Sequence, residues 1–473
     1  MEKIEGKNWT LYEGNMLDVL PEISGVDSIV TDPPYELNFM HKGWDNSGIA
    51  FQVETWKKCY DALKPGGYLL AFGGSRTFHR IACAIEDAGF EIRDTIMWLY
   101  GSGFPKSMNI GKAVESKLLT GSANTQEFKN LKGTKEKSGN WGINKNAYEY
   151  GARPSDYSTD GHERVVEVDY QTEEGQKWNG WGTALKPSYE PVIVARKPCE
   201  GSCIDNVLKY GVGGINIDEC RVENTTEDLG RNNHVKSYGG VTINESNTPP
   251  LDQRGRIEGR FPANTILTYD ETDYEEVCGG MPYTKSNGGV ITHKDFSKHK
   301  GSMMHYTTQE GDAGRYENGY ISPNDSGTAA RYFYCAKASK RDRDEGCEGL
   351  EYKMFHRANG GGGLEDTLKF KPVPRKNTHP TVKPTSLMQY LIRLVTPKGG
   401  TILDPFNGSG STGKAAMYEN KDRNADYKYI GIELTPEYIP ISIARMEYVA
   451  GKKEEKIKEI PTNTQMSIFD FLA

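Results

Sequence analysis

At 473 residues the chain is too long for one simple core, and two or three domains are expected. A hydrophobic content of 36% with 53 glycines describes a soluble, loop-rich protein without an apolar run long enough to span a membrane. Met1-Glu2-Lys3-Ile4 is no signal peptide, so a cytoplasmic location is expected, and the 8 scattered cysteines argue against a disulfide framework. The net charge of -7 gives no global nucleic-acid signature, although a basic face can sit on an acidic protein.

The first hundred residues alternate strand and helix. Residues 27–31 read as a short strand that runs into Asp32-Pro33-Pro34-Tyr35. Two consecutive prolines cannot continue a sheet or enter a helix interior, so the chain stiffens at the strand's carboxyl end, where α/β sheets bind ligands. Val53, Trp56, Tyr60 and Leu63 share one helical face, Lys64-Pro65-Gly66-Gly67 ends that helix, and residues 68–72 resume the sheet. Residues 107–180 form a polar insertion, and residues 188–195 return as an apolar strand within a segment 181–198. Residues 199–347, rich in Gly, Asn and Tyr, read as a separate module, and 348–375 as a linker containing Gly360 to Gly363. In 376–450 the strand–helix unit repeats. Leu387, Met388, Leu391, Leu394 and Val395 make a helical stripe, Pro397-Lys398-Gly399-Gly400 ends it, and a strand leads into Asp404. Residues 1–106, 181–198 and 376–450 therefore read as one mostly parallel sheet with helical crossovers, followed by a tail from 451.

Asp404-Pro405-Phe406-Asn407-Gly408-Ser409-Gly410-Ser411-Thr412-Gly413 joins that strand to a helix starting near Lys414. A glycine-rich bend at a helix N-terminus admits a ligand close to the backbone and points unpaired amides at it. Gly408, Gly410 and Gly413, with Glu433 some 20 residues further on, satisfy a dinucleotide fingerprint. The spacing to Lys414 also fits a P-loop, but Ala415 lacks the hydroxyl that would hold magnesium. Asp404 at the strand end repels phosphates and suits a cationic ligand such as a sulfonium-bearing amino acid.

"TDPPY" at Thr31 to Tyr35, "HPTVKP" at His379 to Pro384 and "ILDPFNGSGSTGKAA" at Ile402 to Ala416 together resemble the motifs of S-adenosylmethionine-dependent DNA amino-methyltransferases of the β group. The order is catalytic motif, target-recognition region, cofactor motif, and the likeness covers roughly residues 10–100, 183–197 and 376–445. "RYFYCAKASK" at Arg331 to Lys340 is more loosely similar to stretches of phage- and prophage-type enzymes. The resemblance implies a permuted Rossmann-like α/β fold with an inserted target-recognition module at 199–347. It implies methyl transfer from S-adenosylmethionine to adenine N6 in site-specific duplex DNA, since Asp rather than Ser precedes Pro-Pro-Tyr. Cytosine N4 methylation is the alternative, and a cofactor-sensing, non-catalytic DNA-binding protein is the alternative of another class. A cognate restriction nuclease is a partner open to such an enzyme.

The chemistry explains the residue types. An exocyclic amino lone pair is delocalised into its ring, and Asp32 with the Pro33 carbonyl would localise it by accepting both amino hydrogens. Pro34 stiffens the turn, and Tyr35 offers a face to a base flipped from the duplex. The resemblance assigns Asp404, Pro405, Phe406, Asn407, Gly408, Ser409 and Gly410 to the methionine part of the cofactor, Glu433 to its ribose, and Lys383 to its carboxylate or to closing the pocket. Asn15 stands where relatives commonly carry Asp beside the adenine ring. Arg331, Lys337, Lys340, Arg341 and Arg343, with Tyr332, Phe333 and Tyr334, suit phosphates and unstacked bases, or equally an amphipathic segment with its aromatics inward. Cys199, Cys203, Cys220 and Cys278 lack zinc spacing and read as buried free thiols, with no metal site. Gln465 to Phe469 resembles the peptide by which bacterial replication proteins grip the sliding clamp; the same apolar residues could dock on the enzyme itself.

Overall fold

The β-strand signals resolve into a single dominant sheet in the computed structural model. It describes residues 2–37, 43–100, 107–124, 136–138, 166–222, 260–269, 283–286, 290–291, 320–321, 325–328, 334–337, 342–355 and 373–451. The strands of that sheet are β1 (Glu2–Gly6), β2 (Trp9–Glu13), β3 (Val26–Thr31), β4 (Leu63–Phe72), β5 (Glu91–Tyr100), β6 (Tyr189–Arg196), β7 (Thr265–Tyr269), β8 (Tyr334–Lys337), β9 (Thr401–Asp404) and β10 (Lys428–Glu433). Their spatial order is β1-β2-β10-β9-β3-β4-β6-β5-β7-β8. All neighbours pair parallel except at β1 and at β6, which runs antiparallel to both β4 and β5. The sheet is thus mixed but mostly parallel, an α/β fold.

β3 and residues 66–72 of β4 are buried on both faces, which is why residues 68–72 read as a continuous apolar run. Alternate side chains divide between two cores. Val30, Leu70, Val194 and Ile402 pack with α7 (Thr385–Val395), α8 (Ser411–Arg423) and α9 (Ile439–Ala450). Ile29, Leu69, Ile193 and Leu403 pack on the other face with α1 (Met16–Val19), α2 (Val53–Ala62) and α3 (Phe78–Asp87). On α2, Trp56 is fully buried and its Nε1 donates to the Ala50 carbonyl at 2.9 Å. Val53, expected on the same face, is 41% exposed because it opens the first turn, and Leu63 has already joined β4.

Two compact units emerge, one of residues 1–102, 188–357 and 371–473, the other of 103–187 and 358–370. Residues 107–180, read as a polar insertion, fall in the second. There α4 (Ile110–Thr120) carries the buried Glu115, whose carboxylate accepts the amides of Gln171 at 2.6 Å and Thr172 at 3.2 Å, just before α5 (Glu173–Lys177). Within the stretch read as a separate module, α6 (Cys203–Tyr210), β7 and β8 fall in the first unit, and the two strands extend its sheet. Burial of Ile266 in the core that holds Trp98, and the Trp98 Nε1 bond to Thr268 Oγ1 at 2.8 Å, explain the recruitment. No helix among the described residues is long and apolar enough to cross a membrane.

Candidate active site

Three adjacent parallel strands end in carboxylates on one edge of the sheet. β9 ends at Asp404, β10 at Glu433, and Asp32 follows the last residue of β3. This is the carboxyl edge, where the strands stop and turns can open around a ligand.

Asp404 is almost wholly buried and bracketed by donors. Thr31 Oγ1 donates to its Oδ1 at 2.6 Å, Thr412 Oγ1 to its Oδ2 at 2.7 Å, and the Phe406 amide to Oδ1 at 3.1 Å. Burial nevertheless wins and pushes its carboxyl up to about 6. Glu433 accepts the amides of Gly408 at 2.6 Å and Thr435 at 2.8 Å, and burial pushes it up to about 7. Two buried carboxylates with raised values form a site that a cation would stabilise in its ionised form.

The loop between them is braced from below. Gly408 and Gly410 both take positive φ, at 54° and 72°, a region costly for other residues. Asn407 is spent on the protein itself: its Oδ1 accepts the Tyr429 hydroxyl at 2.8 Å, and its Nδ2 donates to Ser442 at 3.0 Å. Arg445, fully buried, donates through Nη1 to the Ser409 carbonyl at 2.8 Å and to the hydroxyls of Ser409 and Ser411 at 3.0 and 3.1 Å. Lys414, which the P-loop spacing would have sent to a phosphate, is fully buried instead and pairs with Asp342 at 2.7 Å and Glu345 at 2.9 Å. Asp342 also accepts the Thr385 amide at 2.6 Å, which joins the first turns of α7 and α8.

The second half of the site lies around Asp32. Lys383 Nζ sits 2.6 Å from Asp32 Oδ2 and 3.5 Å from Glu190 Oε2, over the rings of Phe72 at 4.8 Å and Tyr35 at 5.3 Å. Burial works to lower Lys383, but Asp32 and Glu190 outweigh it and hold the ammonium above its usual value. The Tyr35 hydroxyl donates to Glu190 Oε2 at 2.7 Å, and Thr77 fixes the Tyr35 carbonyl at 2.8 Å. Burial first, then the charges of Asp32 and Glu190, raise the Tyr35 phenol well above its ordinary value. Asp32 Oδ1 is buried and has no hydrogen-bond partner among the described residues. Such a buried carboxylate oxygen is an acceptor open to a donor.

His379 closes the space between the halves. Its ring packs edge-on against Tyr438 at 4.5 Å, burial lowers it to about 4, and a Cβ on Gly408 would lie 2.8 Å from its Nε2.

Most of the sequence candidates converge: Asp32, Pro33, Pro34 and Tyr35 on one side, Asp404 to Gly410 and Glu433 on the other. Lys383, which the resemblance assigns to the cofactor carboxylate or to closing the pocket, pairs with Asp32. Asn15 caps α1, its Oδ1 accepting the Leu17 amide at 3.0 Å, which commits that oxygen to the helix. Arg343, expected on DNA, donates internally to the His379 carbonyl. Lys337 lies in β8; Arg331, Lys340, Arg341, Cys278 and the tail peptide Gln465 to Phe469 fall outside the described residues. Of the cysteines read as buried thiols, Cys220 is buried, Cys199 is half-buried and Cys203 is exposed on the first turn of α6. No metal-ligating cluster occurs among the described residues. Glu190 was missed; its signal was a lone carboxylate opening the apolar strand Pro191 to Ala195.

The mixed α/β sheet carries an acidic carboxyl edge and an Asp-Pro-Pro-Tyr turn, a site of the α/β ligand-binding class. A family model described as DNA methylase matches residues 26–444, nearly the whole chain, and the protein belongs to that family. Type II methyltransferase M.BglI of Bacillus subtilis is 45% identical over 92 residues, 19% of this chain and 25% of that one. DNA adenine methyltransferase YhdJ of Escherichia coli K12 is 33% identical over 82 residues, 17% and 26% of the two chains. The match thus spans about a quarter of each of these relatives. Among solved structures, the PvuII DNA methyltransferase (cytosine-N4-specific) aligns over 93% of this chain and 86% of its own at 13% identity and a TM-score of 0.37.

Proposed function

We propose that the protein methylates an exocyclic amino nitrogen of DNA, adenine N6 foremost, with S-adenosylmethionine as donor. The observation that carries the reading is the buried Oδ1 of Asp32 just past the end of β3, which has no hydrogen-bond partner among the described residues. When bound, S-adenosylmethionine supplies an electrophilic methyl on a cationic sulfur. The donor set suits that charge: Asp404 and Glu433 carry raised carboxyls that a neighbouring cation would hold ionised.

The chain's own residues then do the following. Asp32 Oδ1 accepts one hydrogen of the target amino group, and the rigid carbonyl of Pro33 accepts the other. Both interactions strengthen as positive charge grows on nitrogen, so they favour the transition state over the ground state. Tyr35, held through its hydroxyl by Glu190, gives the extruded base a stacking face. Arg445 and Asn407 hold the glycine loop rigid, so orientation costs little at the moment of reaction.

The preference for adenine rests on Asp32 preceding Pro-Pro-Tyr and on the likeness to an enzyme named as an adenine methyltransferase. Purified protein, tritiated S-adenosylmethionine and unmethylated DNA test it, with the product digested to nucleosides. Label in N6-methyldeoxyadenosine supports the proposal, label in N4-methyldeoxycytidine moves it to cytosine, and label in neither sinks it.

A further inference from the structure

Lys383 raises an electrostatic difficulty. Its ammonium lies 2.6 Å from Asp32, and an Asp–Lys pair taken alone is neutral, which offers little to a nitrogen becoming positive. Glu190 resolves it. Its Oε2 lies 3.5 Å from the same ammonium and accepts the Tyr35 hydroxyl, while its side chain is only 20% exposed. Two carboxylates and one ammonium leave the cluster with one net negative charge. No loop chemistry is needed to place it: β6 runs antiparallel between β4 and β5, which brings residue 190 to the carboxyl edge of the parallel strands.

We infer that Glu190 is a positioning residue that compensates the charge of Lys383, so that Asp32 keeps a net negative field for the reacting nitrogen and for a cationic donor. This rests on the methyl-transfer reading above. In the step itself the nitrogen–carbon bond forms as the carbon–sulfur bond breaks, the sulfur keeps the bonding pair, and the nitrogen then loses one proton to solvent. Glu190 touches none of the reacting atoms.

Removing the lysine should repair the loss of the glutamate. Glu190→Gln keeps the shape and still accepts the Tyr35 hydroxyl, so it removes charge alone. At pH 8 it is expected to lower kcat about 10–100-fold with KM for DNA within about threefold. Titration calorimetry without DNA gives a second readout, the preference for S-adenosylmethionine over the uncharged S-adenosylhomocysteine. That preference should fall about five- to tenfold in Glu190→Gln and stay near wild type in Glu190→Asp. In the double variant Glu190→Gln/Lys383→Met both readouts should recover about fivefold over Glu190→Gln. A double variant no better than Glu190→Gln in either readout overturns compensation, as does a Glu190→Gln protein that matches wild type in both. If the wild type binds the donor but methylates no DNA, the DNA reading fails and the affinity ratios alone decide the role of Glu190. If it binds neither compound, both fall.

Discussion

Thr412→Val removes a hydroxyl whose short bond falls on a buried carboxylate and whose longer contact, at 3.4 Å, is to the Val30 carbonyl. Thr412 Oγ1 donates to Asp404 Oδ2 at 2.7 Å, and valine replaces the hydroxyl by a methyl of similar volume. Hydrogen bonds to charged groups contribute about 1.5–3 kcal/mol, and one pKa unit corresponds to about 1.4 kcal/mol. The Asp404 carboxyl, already pushed up to about 6 by burial, should therefore rise by about one to two units, into the range of about 7–8. A cationic donor binds the ionised carboxylate better, so its affinity climbs as pH rises through the carboxyl value of the free protein. Calorimetric titration with S-adenosylmethionine from pH 5 to 9 should show a bend near pH 6 in the wild type that moves by one to two units in Thr412→Val. Glu433, at about 7, receives no bond from Thr412 and serves as an internal reference. The two proteins should bind alike below pH 5, where Asp404 is protonated in both. A variant whose bend stays near 6, or one uniformly weaker at all pH values, refutes the assignment of that carboxylate to the cationic ligand.

Other expectations follow from the same geometry. Lys414→Met strands the carboxylates of Asp342 and Glu345, and because the lysine is fully buried the cost should be about 3–5 kcal/mol, read as a lower urea midpoint. Gly408→Ala forces a positive φ on alanine and drives a Cβ to 2.8 Å from His379, so donor affinity should fall about tenfold or more, measured by the same calorimetry. His379, lowered to about 4 by burial, binds fewer protons folded than unfolded between pH 4 and 6.5. Its contribution to stability is thus lost as pH falls through that window, and His379→Gln should flatten the decline in urea midpoint between those values.

The parts of this molecule written locally were legible in its sequence, and the parts made by long-range pairing were not. Two prolines after an apolar strand fix the Asp32 turn wherever the strand sits, and the glycines at 408 and 410 announce a loop whose φ values only glycine adopts readily. Glu190 carries no such local mark; an antiparallel strand inserted between β4 and β5 brings it to Tyr35, 155 residues earlier in the chain. Lys383 reaches Asp32 across 351 residues, so its motif could be recognised while its partner could not. Ala415 told against a P-loop, but spacing alone says nothing about the actual partner of Lys414, Asp342, 72 residues upstream, with which it forms a buried ion pair. Residues 265–269 and 334–337 were read as part of a separate module because short edge strands in a polar context lack the continuous apolar run of central ones.

The most direct test expresses the wild type and Asp32→Ala in a methylation-deficient bacterium and maps modified bases in the genomic DNA by single-molecule sequencing. The account predicts N6-methyladenine at one defined sequence in cells carrying the wild type and none with Asp32→Ala. Soluble wild-type protein that leaves every base unmodified would contradict it.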